Sequence, residues 1–223
     1  MKRILSIAIV LSVCVSATWA SALNGAGLAS GEGDTATGGR FAVTVEGALA
    51  AGLNSFSPRG MQVDVAAGLK FGKYVSAAVG IGVRHAYTLV SVDHNVHGYG
   101  EPDQRAYGDR FLLPLFVRVK GGVPVGSFSW AGASFEPFAR LDVGYAVDLQ
   151  ESVATSRRPN AGGPFVLPAA GLDMRLQDGS AWMFAVGVGI HAAQYVTEDH
   201  ATATTSPATG NAVSLNFVLG RNF

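Results

Sequence analysis

The sequence predicts an all-β fold, an eight-stranded antiparallel up-and-down transmembrane β-barrel, and three observations carry that prediction. Val213 to Phe223 reads V-S-L-N-F-V-L-G-R-N-F, with an apolar side chain at every second position except Arg221 and a terminal Phe. Eight segments alternate in this manner, one face greasy and the other small or charged. No stretch is unbroken and apolar over the roughly 20 residues that a spanning helix needs. Backbone N–H and C=O groups in lipid must then pair between strands, and only a closed ring pairs them all.

The chain opens with Lys2 and Arg3, a short apolar run from Ile4 to Val15 and small residues that include Ala20-Ser21-Ala22. This is the pattern of a secretory signal peptide over residues 1–22, and the run is too short for a membrane anchor. Cleavage removes 22 of the 223 residues and leaves 201. Residues 23–39 are mostly Gly, Ala, Ser and Thr with little to bury, and are expected to form a flexible periplasmic lead-in to a barrel over residues 40–223.

The expected strands are 41–54, 60–71, 74–90, 110–121, 133–149, 164–177, 181–196 and 211–223, each at or above the roughly 9 to 11 residues of a tilted transmembrane strand. The first sets Phe41, Val43, Val45, Leu49, Ala51 and Leu53 against Ala42, Thr44, Glu46, Ala48 and Ala50. In the third, Val75, Val79, Ile81, Val83, Tyr87 and Leu89 oppose Ser76, Gly80, Gly82, Arg84 and Thr88. The seventh opposes Trp182, Phe184, Val186, Val188 and Ile190 to Gly187, Gly189 and His191.

Connections alternate in length, as barrels with short periplasmic turns and longer external loops require. Gly72-Lys73 and Asp178-Gly179 read as tight turns, the second suited to a type I′ hairpin. Ser91 to Asp109, Gln150 to Gly163 and Thr197 to Gly210 are long and polar. Asn54 to Arg59 is short for an external loop, and Gly122 to Gly132 is long for a periplasmic turn. Phe41, Phe71, Phe135, Trp182 and Phe223 fall at the periplasmic ends of strands, with Tyr87 and Phe111 at the external rim, as two aromatic girdles demand.

Leaving aside Arg110 at the very start of the fourth, thirteen charged residues lie within the expected strands, and twelve share the parity of the small residues: Glu46, Asp64, Lys70, Arg84, Arg118, Lys120, Glu136, Arg140, Asp142, Asp148, Asp173 and Arg175. The thirteenth, Arg221, points outward close enough to the carboxyl end to snorkel. A cation at the bilayer midplane on the lipid face costs about 2 to 4 kcal/mol, which explains the sorting. A lipocalin-like soluble barrel would invert it. An eight-stranded interior is just wide enough for side chains to fill, so the inward charges should pair and largely plug the lumen. Inward glycines such as Gly80, Gly82, Gly144 and Gly187 are expected to leave room for the arginines.

Leu113-Pro114-Leu115-Phe116-Val117-Arg118-Val119-Lys120, followed by Phe135-Glu136-Pro137-Phe138-Ala139-Arg140-Leu141-Asp142-Val143-Gly144-Tyr145, resembles the middle strands of small bacterial outer-membrane β-barrel proteins of the porin family. The resemblance implies the outer membrane of a Gram-negative bacterium, with lipid, lipopolysaccharide and the barrel assembly machinery as partners. It also implies that Phe217, Leu219 and Phe223 form a carboxy-terminal assembly signal, in which Arg221 stands where an apolar residue is usual.

Other chemistry is sparse. Removing Lys2 and Arg3 takes 16 basic side chains to 14 against 16 acidic ones, a formal charge of −2 that gives no reason to expect a nucleic-acid partner. Cys14, the one cysteine, lies in the leader, so the mature chain has no disulfide or thiolate metal site. His85 has outward parity near Thr88, and His191 lies in the seventh strand. No His-x-Ser-Asn run of the lipid A deacylase kind accompanies them, so no enzymatic activity and no catalytic residue is expected. Asp93, His94, His97, Glu101 and Asp103, with Glu198, Asp199 and His200 in the last loop, have metal-ligand chemistry but irregular spacing, and read as solvated loops without a metal or cofactor. Arg157-Arg158 likewise reads as a solvated turn. The expected role is structural or surface-interacting, through the external loops, with a narrow pore for ions or small solutes as the alternative.

Overall fold

The structure, a computed structural model, describes residues 40–56, 59–71, 74–94, 96, 102–122, 128–130, 132–150, 161–177 and 181–223. The leader, the lead-in, both expected tight turns, His97, Glu101 and Arg157-Arg158 lie outside the described residues. The strands are β1 Arg40–Gly52, β2 Arg59–Phe71, β3 Val75–His94, β4 Gln104–Gly122, β5 Phe128–Trp130, β6 Ala133–Asp148, β7 Gly163–Leu176, β8 Ala181–Asp199 and β9 Thr204–Asn222. Eight of them form a closed antiparallel ring in the order β1-β2-β3-β4-β6-β7-β8-β9, with β9 returning to β1. Closure is what an alternating, half-apolar strand set requires, because each edge would otherwise expose unpaired backbone groups.

The ninth strand departs from the expected eight. β5 pairs only with the start of β6, Phe128 opposite Phe135 and Trp130 opposite Ala133. Gly132, at φ 79°, makes the turn between them, a conformation that side chains disfavour. This small hairpin accounts for the unusual length of the Gly122 to Gly132 connection. Three residues are too few for alternation to register.

Strand ends differ more at the opposite, hairpin end of the ring. β3 runs to His94 rather than 90, β4 begins at Gln104 rather than 110, β8 reaches Asp199 and β9 begins at Thr204. Much of the sequence expected as the loops Ser91 to Asp109 and Thr197 to Gly210 is thus paired strand. Polar on both faces, these extensions carry no period-two hydrophobic signal. A register shift between Leu89 and Ser91 also breaks the parity of β3, and Leu89, expected on the outer face, is buried.

The two extended hairpins meet. Ser91 to His94 of β3 pair in parallel with Val196 to Asp199 of β8, a strand on the far side of the ring. The four tops thereby form one small sheet across the mouth. The short β1–β2 connection leans on it: Asn54 Nδ2 donates to the Asn211 carbonyl at 2.9 Å, the Tyr107 hydroxyl donates to the Ser55 carbonyl at 2.9 Å, and the Phe56 ring lies 5.3 Å from that of Tyr195.

Candidate functional site

The ring separates two chemistries. Val79, Val117 and Val143 are register partners on β3, β4 and β6, and their relative exposures are 65, 54 and 51%. Leu49, Val186, Phe217, Leu219 and Phe223 are exposed in the same outward parity. Glu46, Asp64, Arg84, Arg118, Arg140, Asp142 and Asp148, which alternate with such residues, are buried inside.

At the centre of the lumen Arg118 reaches two acids at once. Its Nε and Nη2 donate to Asp142 at 2.7 and 2.8 Å, and its Nη1 and Nη2 donate to Glu46, the latter at 3.0 Å. Arg140 Nη1 donates to both oxygens of Glu46 at 2.8 Å, and its Nη2 lies 3.6 Å from Asp142. Strand register sets this up, because Arg118 of β4 stands opposite Asp142 of β6. The tetrad is neutral, and bidentate guanidinium bonds satisfy the carboxylates.

Towards the terminal end, Lys120 Nζ donates to both oxygens of Asp173 at 2.7 and 2.6 Å. Asn222 donates to that acid at 3.3 Å and accepts a hydrogen bond of 2.9 Å from the Thr44 hydroxyl, which ties β9 to β1 and β7. Arg175 pairs with Glu136 at 3.3 Å, half-exposed at the rim. Lys70 is exposed there and makes no ion pair among the described residues, so it stands apart from the expected network. A cavity of about 100 Å³ opens between these groups, its lining reaching Glu46, Arg118 and Met183.

Towards the hairpin end, Gln62 acts as a neutral bridge. It donates to Asp64 at 2.6 Å and accepts from Arg84 Nε. Higher still, Arg110 lies 3.6 Å from Asp148, which also accepts the backbone N–H groups of Gln150 and Ala161 at 3.0 Å. Neither Gln62 nor Arg110 belonged to the expected network. Gln62 has no charge to mark it, and Arg110 sits at the first position of its expected strand.

The lumen also contains rings. Phe116 and Phe138 are buried inward, and Phe116 packs with Leu112 and Phe165. The Arg118 guanidinium lies 5.1 Å from the centre of the Phe116 ring, Lys120 Nζ 4.0 Å from that of Phe138 and Arg84 5.4 Å from that of Phe165. The glycines serve these neighbours rather than the arginines as expected. A Cβ on Gly80 would run into the Phe116 ring, one on Gly171 would meet Phe138, and one on Gly82 would meet the Asp64 carboxylate.

On the outer wall at the hairpin end, His85 Nε2 lies 3.1 Å from Asp109 and its ring 5.1 Å from that of Phe111. Tyr87 and Tyr107 stack at 5.7 Å, with the Arg59 guanidinium 5.5 Å from the Tyr87 centroid. Arg221, at the other end, lies 5.6 Å from the Trp182 ring and 5.2 Å from that of Phe223. His191 is inward and buried, its Nε2 without a hydrogen-bond partner among the described residues. In the cross-mouth sheet His94 Nδ1 lies 2.6 Å from Asp103, and ligand atoms of Asp93, Glu198 and His200 converge to within 4.8 Å of one another.

No known protein-family profile matches the chain, and no curated protein matches it either. Among solved structures, Neisserial surface protein A is similar over 83% of this chain and 98% of its own, at 12% identity and a TM-score of 0.49. A major outer membrane protein from Thermus thermophilus is similar over 82% of this chain and 99% of its own, at 12% identity and a TM-score of 0.37.

Proposed function

We propose that this chain is an integral outer-membrane barrel with a structural or surface-interacting role, its lumen sealed by ion pairs and its hairpins facing outward. One observation carries the reading: an apolar wall exposed around a closed ring whose charges are buried inside. A soluble monomer rarely exposes an apolar patch above a few hundred Å², whereas a bilayer requires this wall and a ring without edges. The aromatic and cationic groups at both ends, Arg59 with Tyr87 and Arg221 with Trp182, suit the two interfaces. Lipid and lipopolysaccharide are then its surroundings, and the barrel assembly machinery reads Phe217, Leu219 and Phe223.

The interior supports a seal rather than a channel. The Glu46–Arg118–Asp142–Arg140 tetrad crosses the middle, and the β3–β8 ladder crosses one mouth. We read the chain as non-enzymatic: the outward His85–Asp109 pair rests against the Phe111 ring, and no hydroxyl or thiol bonds to it among the described residues. The cavity at the terminal end favours the second reading, a narrow pore, which would need that cavity to continue past the tetrad. Planar-bilayer recording of the refolded chain separates the two. Silent bilayers, or rare brief openings, are expected, and steady conductance through wild-type protein would refute the seal.

A further inference from the structure

Where the β3–β4 and β8–β9 hairpins join, the ladder sets Asp93 beside Glu198. Like charges directly opposed on neighbouring strands repel, and no lysine or arginine among the described residues pairs with either. Asp93 Oδ1 is buried and has no hydrogen-bond partner among the described residues. A buried carboxylate oxygen in that state is costly unless a cation or donor meets it. The next residues supply a third group. His200 starts the turn after β8, its N–H donates to the His94 carbonyl at 3.1 Å, and its ring nitrogen joins the two carboxylates within 4.8 Å.

The geometry points to a divalent-cation site, formed by Asp93, Glu198 and His200, that clasps the two hairpins across the barrel mouth. Two carboxylates and an imidazole suit a borderline transition cation such as Zn²⁺, with a fourth position left for water. Such an ion binds N and O at about 2.0 to 2.2 Å, so the side chains need to close by distances on the order of 1 Å. Asp93 comes from one hairpin and Glu198 and His200 from the other, so the ion would cancel the repulsion and fix the hairpins together. The site concerns the cap alone and does not depend on whether the lumen below conducts.

The test uses the full, untagged chain carrying Cys14→Ser, folded in detergent, stripped with chelator and titrated with Zn²⁺ by calorimetry. One equivalent should bind, and Asp93→Asn and His200→Ala should each weaken binding by about tenfold or more. Heat-modified gel mobility checks that each variant is folded, and Asp93→Asn removes a charge with little change of shape. Spin labels at Thr202→Cys and Arg105→Cys, one on each hairpin, should show a narrower distance distribution with Zn²⁺, and no change in the His200→Ala background. Absence of stoichiometric binding, or equal binding by both variants, overturns the site.

Discussion

Glu46→Ala is expected to destabilise the barrel by about 3 to 5 kcal/mol, the cost of removing one partner from a buried charge network. Glu46 is 2% exposed and holds two guanidinium groups, Arg118 and Arg140, which are themselves 5% exposed. Without it the tetrad keeps two buried cations against Asp142 alone. Urea unfolding of the chain in phosphatidylcholine vesicles, followed by tryptophan fluorescence, measures the change. Arg221→Ala, at an exposed outward position, serves as a control for which little change is expected. A loss under about 1 kcal/mol for Glu46→Ala would mean that solvent reaches the network and relieves its charges.

Val117→Arg should cost about 2 to 4 kcal/mol in the same vesicles, the range for a cation on the lipid face near the bilayer midplane. Val117 lies between Val79 and Val143 on the outer wall, away from the aromatic ends to which a guanidinium would snorkel. The cost depends on what the side chain faces. At an exposed site facing water, the same change stays within about 0.5 kcal/mol. Near-neutral behaviour of Val117→Arg therefore contradicts a lipid-facing wall while leaving the barrel intact.

The barrel was legible because its selection pressure is periodic. A strand with lipid on one side and a narrow lumen on the other must alternate, and β1, β2, β6 and β7 each fall within a few residues of their expected spans. The inward parity of Glu46, Arg118, Arg140 and Asp142 followed from the same pattern. Partners did not, because they depend on stagger between strands. Arg118 faces Asp142 by register, yet its contact with Glu46 crosses the lumen, and Lys70 ends outside the network although its parity is inward. Gln62 and Asn222 were invisible for a different reason, since neutral polar residues bear no mark of the charges they bridge.

Gly80 and Gly82 show how a correct face can carry a wrong reason. Both are inward, but the space they leave belongs to the Phe116 ring and the Asp64 carboxylate. The cross-mouth sheet was hidden most deeply. Gln104 to Tyr107 and Thr204 to Pro207 are exposed strand without a buried face, and nothing in their composition distinguishes them from loop. Only pairing with a diametrically placed hairpin brings Asp93 to Glu198, 105 positions away.

Single spin labels at Val79, Val117, Val143 and Val186, compared with one at Thr202 on the cap, test the orientation of the wall most directly. In phosphatidylcholine vesicles the four wall positions should collide freely with molecular oxygen and scarcely with a water-soluble nickel chelate, while Thr202 shows the reverse. Nickel access at the four valines equal to that at Thr202 would contradict a barrel seated in a bilayer.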